Sequence, residues 1–434
     1  MTSSADVDEL ARKFDHHSSD YARDPWSINH ALVQQCPVAH SEQHGGFWYV
    51  TGYEEVRQVA MDDKTFSARH DLPNGSTAYE GISLPGYPMR TGFIETDPPL
   101  STAWRKPFNR YFSMAAAEAM RPQVRRYASW CLDQKIESGE MDLVLDYSGP
   151  VPAIVTLKLV GLPTDDWKTF SDASHRIVSL PPDSPERAQA MADHAELFAQ
   201  IPEIAAKRRS DPRDDLITVV TQMELEGAPP STETLVETIL LLVQGGVDTT
   251  SNLVGHALRY LAEHPLDRQR LIDDPTRIPA AIEEFLRFYS PVQTIARTAT
   301  RDTELGGCPI REGDRLLVSW AGANLDERVW ADPLKVVLDR KPNRQTSFGI
   351  GVHRCLGANL ANVMIEEMLA EVLQRIPDYQ ITGPVSSYAT IGIIHGIEAL
   401  PVRFRAGHRI AEPGIELRDL DDVSSGQRRD GLRG

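Results

Sequence analysis

Cys355 stands in the run Ser347-Phe348-Gly349-Ile350-Gly351-Val352-His353-Arg354-Cys355-Leu356-Gly357, one thiol framed by three glycines and followed at once by a helical pattern. A lone intracellular cysteine is most often a small buried hydrophobe. This one has a backbone stripped of side-chain bulk, which lets a thiolate approach a large flat metal-bearing group. The N-terminus of a helix beginning near Leu356 would aim free N–H groups and a positive dipole end at the sulfur. The chemistry on offer is ligation of a metal by an anionic sulfur.

A second chemistry-bearing run, Gln244-Gly245-Gly246-Val247-Asp248-Thr249-Thr250, lies in the middle of a segment that reads as a single helix from Ser231 to His264. Glycine inside a helix costs about 1 kcal/mol relative to alanine, so something should offset Gly245 and Gly246. Close helix packing is one explanation. The other is that a cofactor face approaches the backbone there while a threonine hydroxyl disturbs the helical ladder, opening a groove for oxygen and water. Further on, Glu284 and Arg287 sit at i, i+3, a spacing that lets them pair on one helix face. Exposed, such a pair would contribute under about 1 kcal/mol.

The spacing Phe-Gly-x-Gly-x-His-x-Cys-x-Gly resembles the haem-thiolate signature of the cytochromes P450, and three further segments agree with it in family order, from about residue 20 to about 406. The resemblance implies a mainly α fold with a small β region. Haem b would lie between the long central helix and the cysteine loop with its following helix. Cys355 becomes the iron ligand, whose anionic sulfur favours O–O cleavage, and Phe348, Gly349, Gly357 and Gly245 border the cofactor. Asp248 and Thr249 take the acid–alcohol positions that deliver protons to oxygen, and Thr250 is structural. Glu284, Arg287 and Arg340, the last in Asp339-Arg340-Lys341-Pro342, form a network that pins the cysteine loop rather than a catalytic one.

Haem carries two propionates, whose burial requires cations or donors. By motif position these are Arg105, Arg297 and His353. Ser101 replaces a histidine often found four residues before the propionate arginine, and is expected to be a weaker donor. Leu325 stands where an arginine is common, with no functional account. Pocket walls are expected in segments 78–95 and 175–205, at Gly245, in 292–296 and in 391–397. There Val292, Ile295, Ile393 and Ile394 would give an aliphatic surface for a terpenoid, steroid-like, fatty acyl or small aromatic substrate.

The elements that must position these residues are mostly helical. Phe47 to Thr51 reads as a strand, 305–310 with 316–320 as hairpin material, and the Gly/Pro-rich segment 69–99 as a functional loop. Residues 21–406 read as a single domain between a flexible start (1–20) and a polar tail (407–434).

The 434 residues are 41% hydrophobic and 25% charged, a globular composition. Four scattered cysteines without a Cys-x-x-Cys pair argue against a disulfide framework or a zinc site and fit a cytoplasmic setting. The start Met1-Thr-Ser-Ser-Ala lacks a signal-peptide pattern, and the longest aliphatic run, Ile239 to Val243, is too short to anchor in a membrane. A net charge of −17 argues against nucleic acid.

Two windows are basic against this background, Arg105, Lys106, Arg110, Arg121, Arg125 and Arg126 in one, Arg340, Lys341, Arg344 and Arg354 in the other. The resemblance puts both on the cysteine side of the haem, where a ferredoxin-type donor would dock. That donor would draw electrons from NAD(P)H through a ferredoxin reductase for use with O2. Two alternatives are a peroxide-driven haem-thiolate peroxygenase, which would not need the Asp248-Thr249 pair, and a haem-based gas sensor without turnover.

Overall fold

A computed structural model describes residues 4–71, 79–87, 89–225, 227–410 and 416–420. The architecture is built around one helix, Thr232–Glu263, of 32 residues, which at 1.5 Å per residue runs roughly 48 Å. It starts where the Ser231 side chain accepts the N–H of Thr234 and stops at His264, before Pro265. This central helix is clad by the helices Pro150–Val160, Ile278–Tyr289 and Ala358–Arg375.

The helix Pro150–Val160 is apolar nearly all round, with proline in its first turn and Gly161 (φ 97°) as a left-handed cap, and is accordingly buried on all sides. A Cβ on Gly246 would run into the Thr156 side chain of this helix, so that glycine serves close packing. Gly245 has nothing within 4 Å of where a Cβ would stand. Of the two glycines, Gly245 is therefore the one that leaves open space.

The strands are β1 (Val38–Ser41), β2 (Phe47–Val50), β3 (Phe66–Ser67), β4 (Glu140–Asp142), β5 (Thr294–Ala299), β6 (Thr303–Leu305), β7 (Cys308–Ile310) and β8 (Arg315–Ser319), followed by short C-terminal pairings. The main sheet runs β1-β2-β8-β5-β3, with only β2 and β8 parallel. The expected hairpin is different in kind. β6 and β7 pair with each other across Gly306 (φ 56°) and Gly307 (φ 81°), whereas 315–319 joins β2 and β5 in the main sheet. Two successive left-handed glycines close a tight turn by themselves, which frees the apolar run Leu316-Leu317-Val318 for the sheet interior.

The start of the chain also departs from expectation. Ser4–Lys13 is helical, and Val7, Ala11 and Phe14 are buried against Tyr21, Tyr49 and Phe47. These three residues give the segment an apolar stripe at i, i+4, i+7 that a polar-looking start concealed. In the tail, Leu417 and Leu420 are buried in the main core at i, i+3 spacing, and residues 421–434 lie outside those described. The loop 69–99 is tied down where described: the buried Glu95 carboxylate accepts the N–H groups of Ile82 and Thr91 and meets His70 Nδ1 at 3.0 Å. Residues 72–78 and 88 of that loop lie outside the described part.

Candidate active site

The cysteine loop takes its shape from two glycines. Gly349 (φ 71°) and Gly351 (φ 75°) are left-handed, and a Cβ on Gly351 would strike the Ala60 carbonyl. The loop folds back so that the Cys355 N–H donates to Phe348 O at 2.7 Å. The Cys355 sulfur receives the backbone N–H of Gly357, the residue that caps the helix Ala358–Arg375. Burial pushes this thiol upward, while the Gly357 N–H and the charges of Arg105 and Arg354 pull it back; the net direction is up. By surface area the residue is nonetheless exposed, opening onto the cavity, so its sulfur faces the space that a metal-bearing group would fill.

Cys355, Phe348, Gly349, Gly357 and His353 line one side of a largely apolar cavity, with Gly245, Gly246, Thr249 and Thr250 on the central helix lining another. Thr249 Oγ1 donates to Gly245 O at 3.0 Å, inside the helical ladder.

Asp248 is buried and turns away from the lining toward His175, whose Nδ1 lies 3.5 Å from Asp248 Oδ1 and 2.8 Å from the Tyr388 hydroxyl. Asn252 Nδ2 donates to that same hydroxyl at 3.0 Å. Burial lowers His175 but the hydrogen bond and charge of Asp248 raise it more, so the ring titrates above its ordinary value. Neither His175 nor Tyr388 was legible as a partner of Asp248. They come from positions 73 residues before it and 140 after, on segments without a motif.

A second polar group gathers beside the cysteine loop. Arg105 Nη2 donates to Arg354 O at 2.6 Å, and Arg297 is buried with Nη1 donating to Ala296 O at 2.8 Å. Neither guanidinium is in an ion pair among the described residues. Burial pulls Arg297 down to about 10. Burial, with the fields of Arg297 and Arg105, pulls His353 down to about 3. The His353 Nε2 and the Ser101 Oγ are both buried without a hydrogen-bond partner. Arg105 and Arg297 lie close enough to His353 to act on it, and the carboxylates that act on Arg297, Asp97 and Glu95, form no ion pair with it. That arrangement calls for a carboxylate-bearing group. Arg297 and Ser101 sit behind the lining rather than in it.

Glu284, Arg287 and Arg340 come together as a buried network. Glu284 takes Arg287 at 2.8 Å through each of its two oxygens and Arg340 Nε at 3.0 and 3.1 Å. It also accepts the Val337 N–H and Asn343 Nδ2. Arg287 goes on to the carbonyls of Asn324, Pro333 and Lys335. Every polar atom in this cluster has a partner, which is what its burial requires. Leu325, where an arginine was weighed, is buried.

The pocket walls are partly elsewhere than expected. Val292 and Ile295 line the cavity, but Ile393 and Ile394 do not, nor does any residue of 175–205. Ile394 instead bridges to Val292 as an extra rung outside the strands, and the Ile393 carbonyl accepts from Gln293 N–H, which turns that segment into a support for the wall. The walls it was not possible to read from the sequence are Thr156, Leu159 and Val160 on the buried helix and Leu241 and Leu242 on the central one.

Comparison with known proteins decides the family. Cytochrome P450 109 of Bacillus spizizenii is 31% identical over 399 residues, covering 89% of this chain and 93% of that one. The chain belongs to the cytochrome P450 family. The family model for cytochrome P450 matches residues 163–376. A steroid C26-monooxygenase of Mycolicibacterium smegmatis is 32% identical over 83% of this chain and 88% of its own. Among solved structures, CYP268A2 of Mycobacterium marinum in complex with pseudoionone superposes with a TM-score of 0.82 at 27% identity, covering 90% of this chain and 98% of that one.

This P450 is thus a haem b-dependent monooxygenase, whose family uses O2, hydrophobic substrates and a redox partner. The site fits that group: a thiol at the wall, an open glycine opposite, and two guanidinium groups without an ion pair among the described residues and two orphaned polar atoms that two propionates would satisfy. No helix among the described residues is long and apolar enough to cross a membrane.

Glu284→Ala would leave Arg287 charged and unpaired at 0% exposure, a loss of about 3–5 kcal/mol. The expected outcome is little haem-loaded protein, read as the ratio of Soret to protein absorbance after purification. Wild-type haem content in this variant would contradict the assigned role.

Proposed function

We propose that this P450 oxidises a hydrophobic small molecule of steroid or terpenoid class, with Cys355 as the residue that would hold the haem iron and the Asp248-Thr249 pair supplying protons. The observation that carries this reading is the opposition, across one cavity, of a sulfur held by the Gly357 N–H and a threonine hydroxyl held on the carbonyl of Gly245. Haem, when bound, supplies the iron at which O2 is activated. Arg105 and His353 at the lining, with Arg297 and Ser101 behind them, would hold its propionates.

The protein's own part is then to deliver protons and exclude water. Thr249 can pass its hydroxyl proton into the cavity because its present partner, a carbonyl, is only an acceptor and is easily exchanged for a water or ligand. Asp248 restores that proton from behind. It is buried, and half-buried His175 links it to the outside. The walls, with Phe93, Ile94, Leu241, Val292 and Ile295, are apolar and keep bulk solvent from the reacting centre.

An apolar wall with few polar contacts supports a hydrophobic substrate, and the relatives named for a steroid reaction and bound to pseudoionone support the choice of class. For the electron donor we favour a ferredoxin served by a ferredoxin reductase, acting in the cytoplasm. The basic surface expected for it is smaller than its sequence suggested. Arg121 is paired with Glu118, Glu366 and Glu367, and Arg125 with Glu367. Exposed Lys106, Arg110, Lys341, Arg344 and Arg354 have no ion pair among the described residues and support docking at this face. The gas-sensor and peroxygenase readings account for neither the Asp248-Thr249 pair nor its connection to His175.

Reduction by a ferredoxin should slow with added salt and with Lys106→Glu and Arg344→Glu, but not with Arg121→Glu beyond its effect on folding; stopped-flow rates indifferent to all of these would remove the docking face. Titration with a panel of steroids and terpenoids should shift the haem to high spin for members of one class, whereas a panel without any shift rejects the substrate class. Thr249→Ala should consume reductant while releasing peroxide, with proton delivery slowed on the order of 10²-fold.

Coupling should also follow His175. Its folded pKa is raised, so the His175–Asp248 ion pair is fully present below about 6.5 and is lost as pH rises through the raised value. Product formed per reductant consumed should fall over that rise in the wild type and be flat in His175→Gln. Equal pH profiles would separate His175 from proton supply.

A further inference from the structure

Away from the cavity, three side chains, Asp15, His16 and His44, bring one ligand atom each to within 4.8 Å of one another. Asp15 and His16 follow the N-terminal helix, and His44 stands in the β1–β2 connection with left-handed backbone (φ 51°). His44 Nε2 is 2.8 Å from Asp15 Oδ1, and His16 Nδ1 is 3.9 Å from the same oxygen.

The decisive group is His16. Its residue is 1% exposed, and its Nε2 lies 2.8 Å from the Leu84 carbonyl. A carbonyl can only accept, so a neutral ring carries its proton on Nε2 and leaves a lone pair on Nδ1. That Nδ1 has no hydrogen-bond partner. A buried lone pair turned toward a carboxylate is two acceptors facing each other, an arrangement that lacks a positive centre between them.

We propose that Asp15, His16 and His44 form a binding site for a divalent transition-metal ion of the zinc class, separate from the haem cavity. Two imidazoles and one carboxylate are a borderline donor set that suits Zn²⁺ and disfavours Ca²⁺ or Mg²⁺, which take oxygen ligands. Three protein ligands leave a fourth position for water. The second shell is already in place. The Leu84 carbonyl fixes the His16 ring by its other nitrogen, as metal-bound histidines are generally fixed, and the His17 backbone N–H donates to Asp15 Oδ1 at 2.8 Å.

Bonds of about 2.0–2.1 Å put tetrahedral ligand atoms roughly 3.3 Å apart, so the ion must draw His16 and His44 together. His16 is fixed in the core. His44 can supply the movement, being on a turn with its side chain 20% exposed. The ion takes the place of the His44 N–H proton now facing Asp15, and that proton leaves to solvent. Because Leu84 O also meets His17 Nε2 at 3.0 Å, and Ile82 O accepts from Ala296 N–H, an occupied site ties the start of the chain through 82–84 to β5, beside the cavity wall.

The test is zinc binding by the haem-loaded chain without a histidine tag, after chelator treatment, measured by isothermal titration and by metal content after dialysis against buffered Zn²⁺. About one ion per chain is expected, with His44→Asn and Asp15→Asn each weakening binding by at least about 10-fold. Asparagine at 44 tolerates the left-handed backbone, so haem content should be unchanged. His30→Asn, at a surface histidine paired with Glu327, should bind as the wild type does. Zinc should also raise the melting temperature of the wild type and not of His44→Asn. Absence of stoichiometric zinc in the wild type, or equal affinity in His44→Asn, would overturn the site whatever the enzyme's activity.

Discussion

A sulfur that must carry negative charge beside an apolar cavity is the constraint on which the proposed arrangement depends. The Cys355 sulfur opens onto the cavity, its surroundings raise the thiol, and the Gly357 N–H with Arg105 and Arg354 favours the anion. Iron bound there would hold the anion. This explains why so much of the chain is devoted to holding one loop still. Two left-handed glycines bend it, the Phe348 carbonyl ties its cysteine, and the Glu284–Arg287–Arg340 network fastens the segment that precedes it. A buried ion network is poor evidence of stability in its own right. Its value here is that a fully satisfied cluster has one geometry, which a loop presenting a metal ligand needs.

The opposite wall solves a different problem. A helix that passes through the core must be apolar, yet oxygen chemistry needs protons delivered into it. On the proposed reading the central helix does both by turning Thr249 inward and Asp248 outward, with the aspartate meeting His175, which in turn meets Tyr388 and through it Asn252. Gly246 lets the buried helix Pro150–Val160 pack close, and Gly245 keeps the inner face bare. The proposal thus gives proton supply and solvent exclusion to adjacent residues of a single turn.

What could be read from the sequence was what is encoded in short spacings. The cysteine run, the Gly-Gly-x-Asp-Thr run and Glu284 with Arg287 each lie within one loop or one helical turn, where residue order fixes geometry. Arg340 was placed only by family order. Long-range relations were not legible. Nothing local says that 315–319 enters the main sheet instead of pairing with 305–310, that Ile393 backs the wall without forming it, or that Arg121 is neutralised by carboxylates some 245 residues away. His175 and His16 were equally silent, because their roles depend on a partner brought from another element. The flexible start expected for the chain fails for a similar reason: Val7, Ala11 and Phe14 are unremarkable until the aromatic surface that receives them is known.

The central claim, anionic sulfur from Cys355 on haem iron, is tested most directly by the absorption spectrum of the purified protein after reduction and exposure to carbon monoxide. The account predicts the strongly red-shifted Soret band that gives the family its name, and its loss in Cys355→Ser together with substrate oxidation. A reduced carbonyl spectrum without that band in the wild type, or a serine variant that retains both, would contradict it.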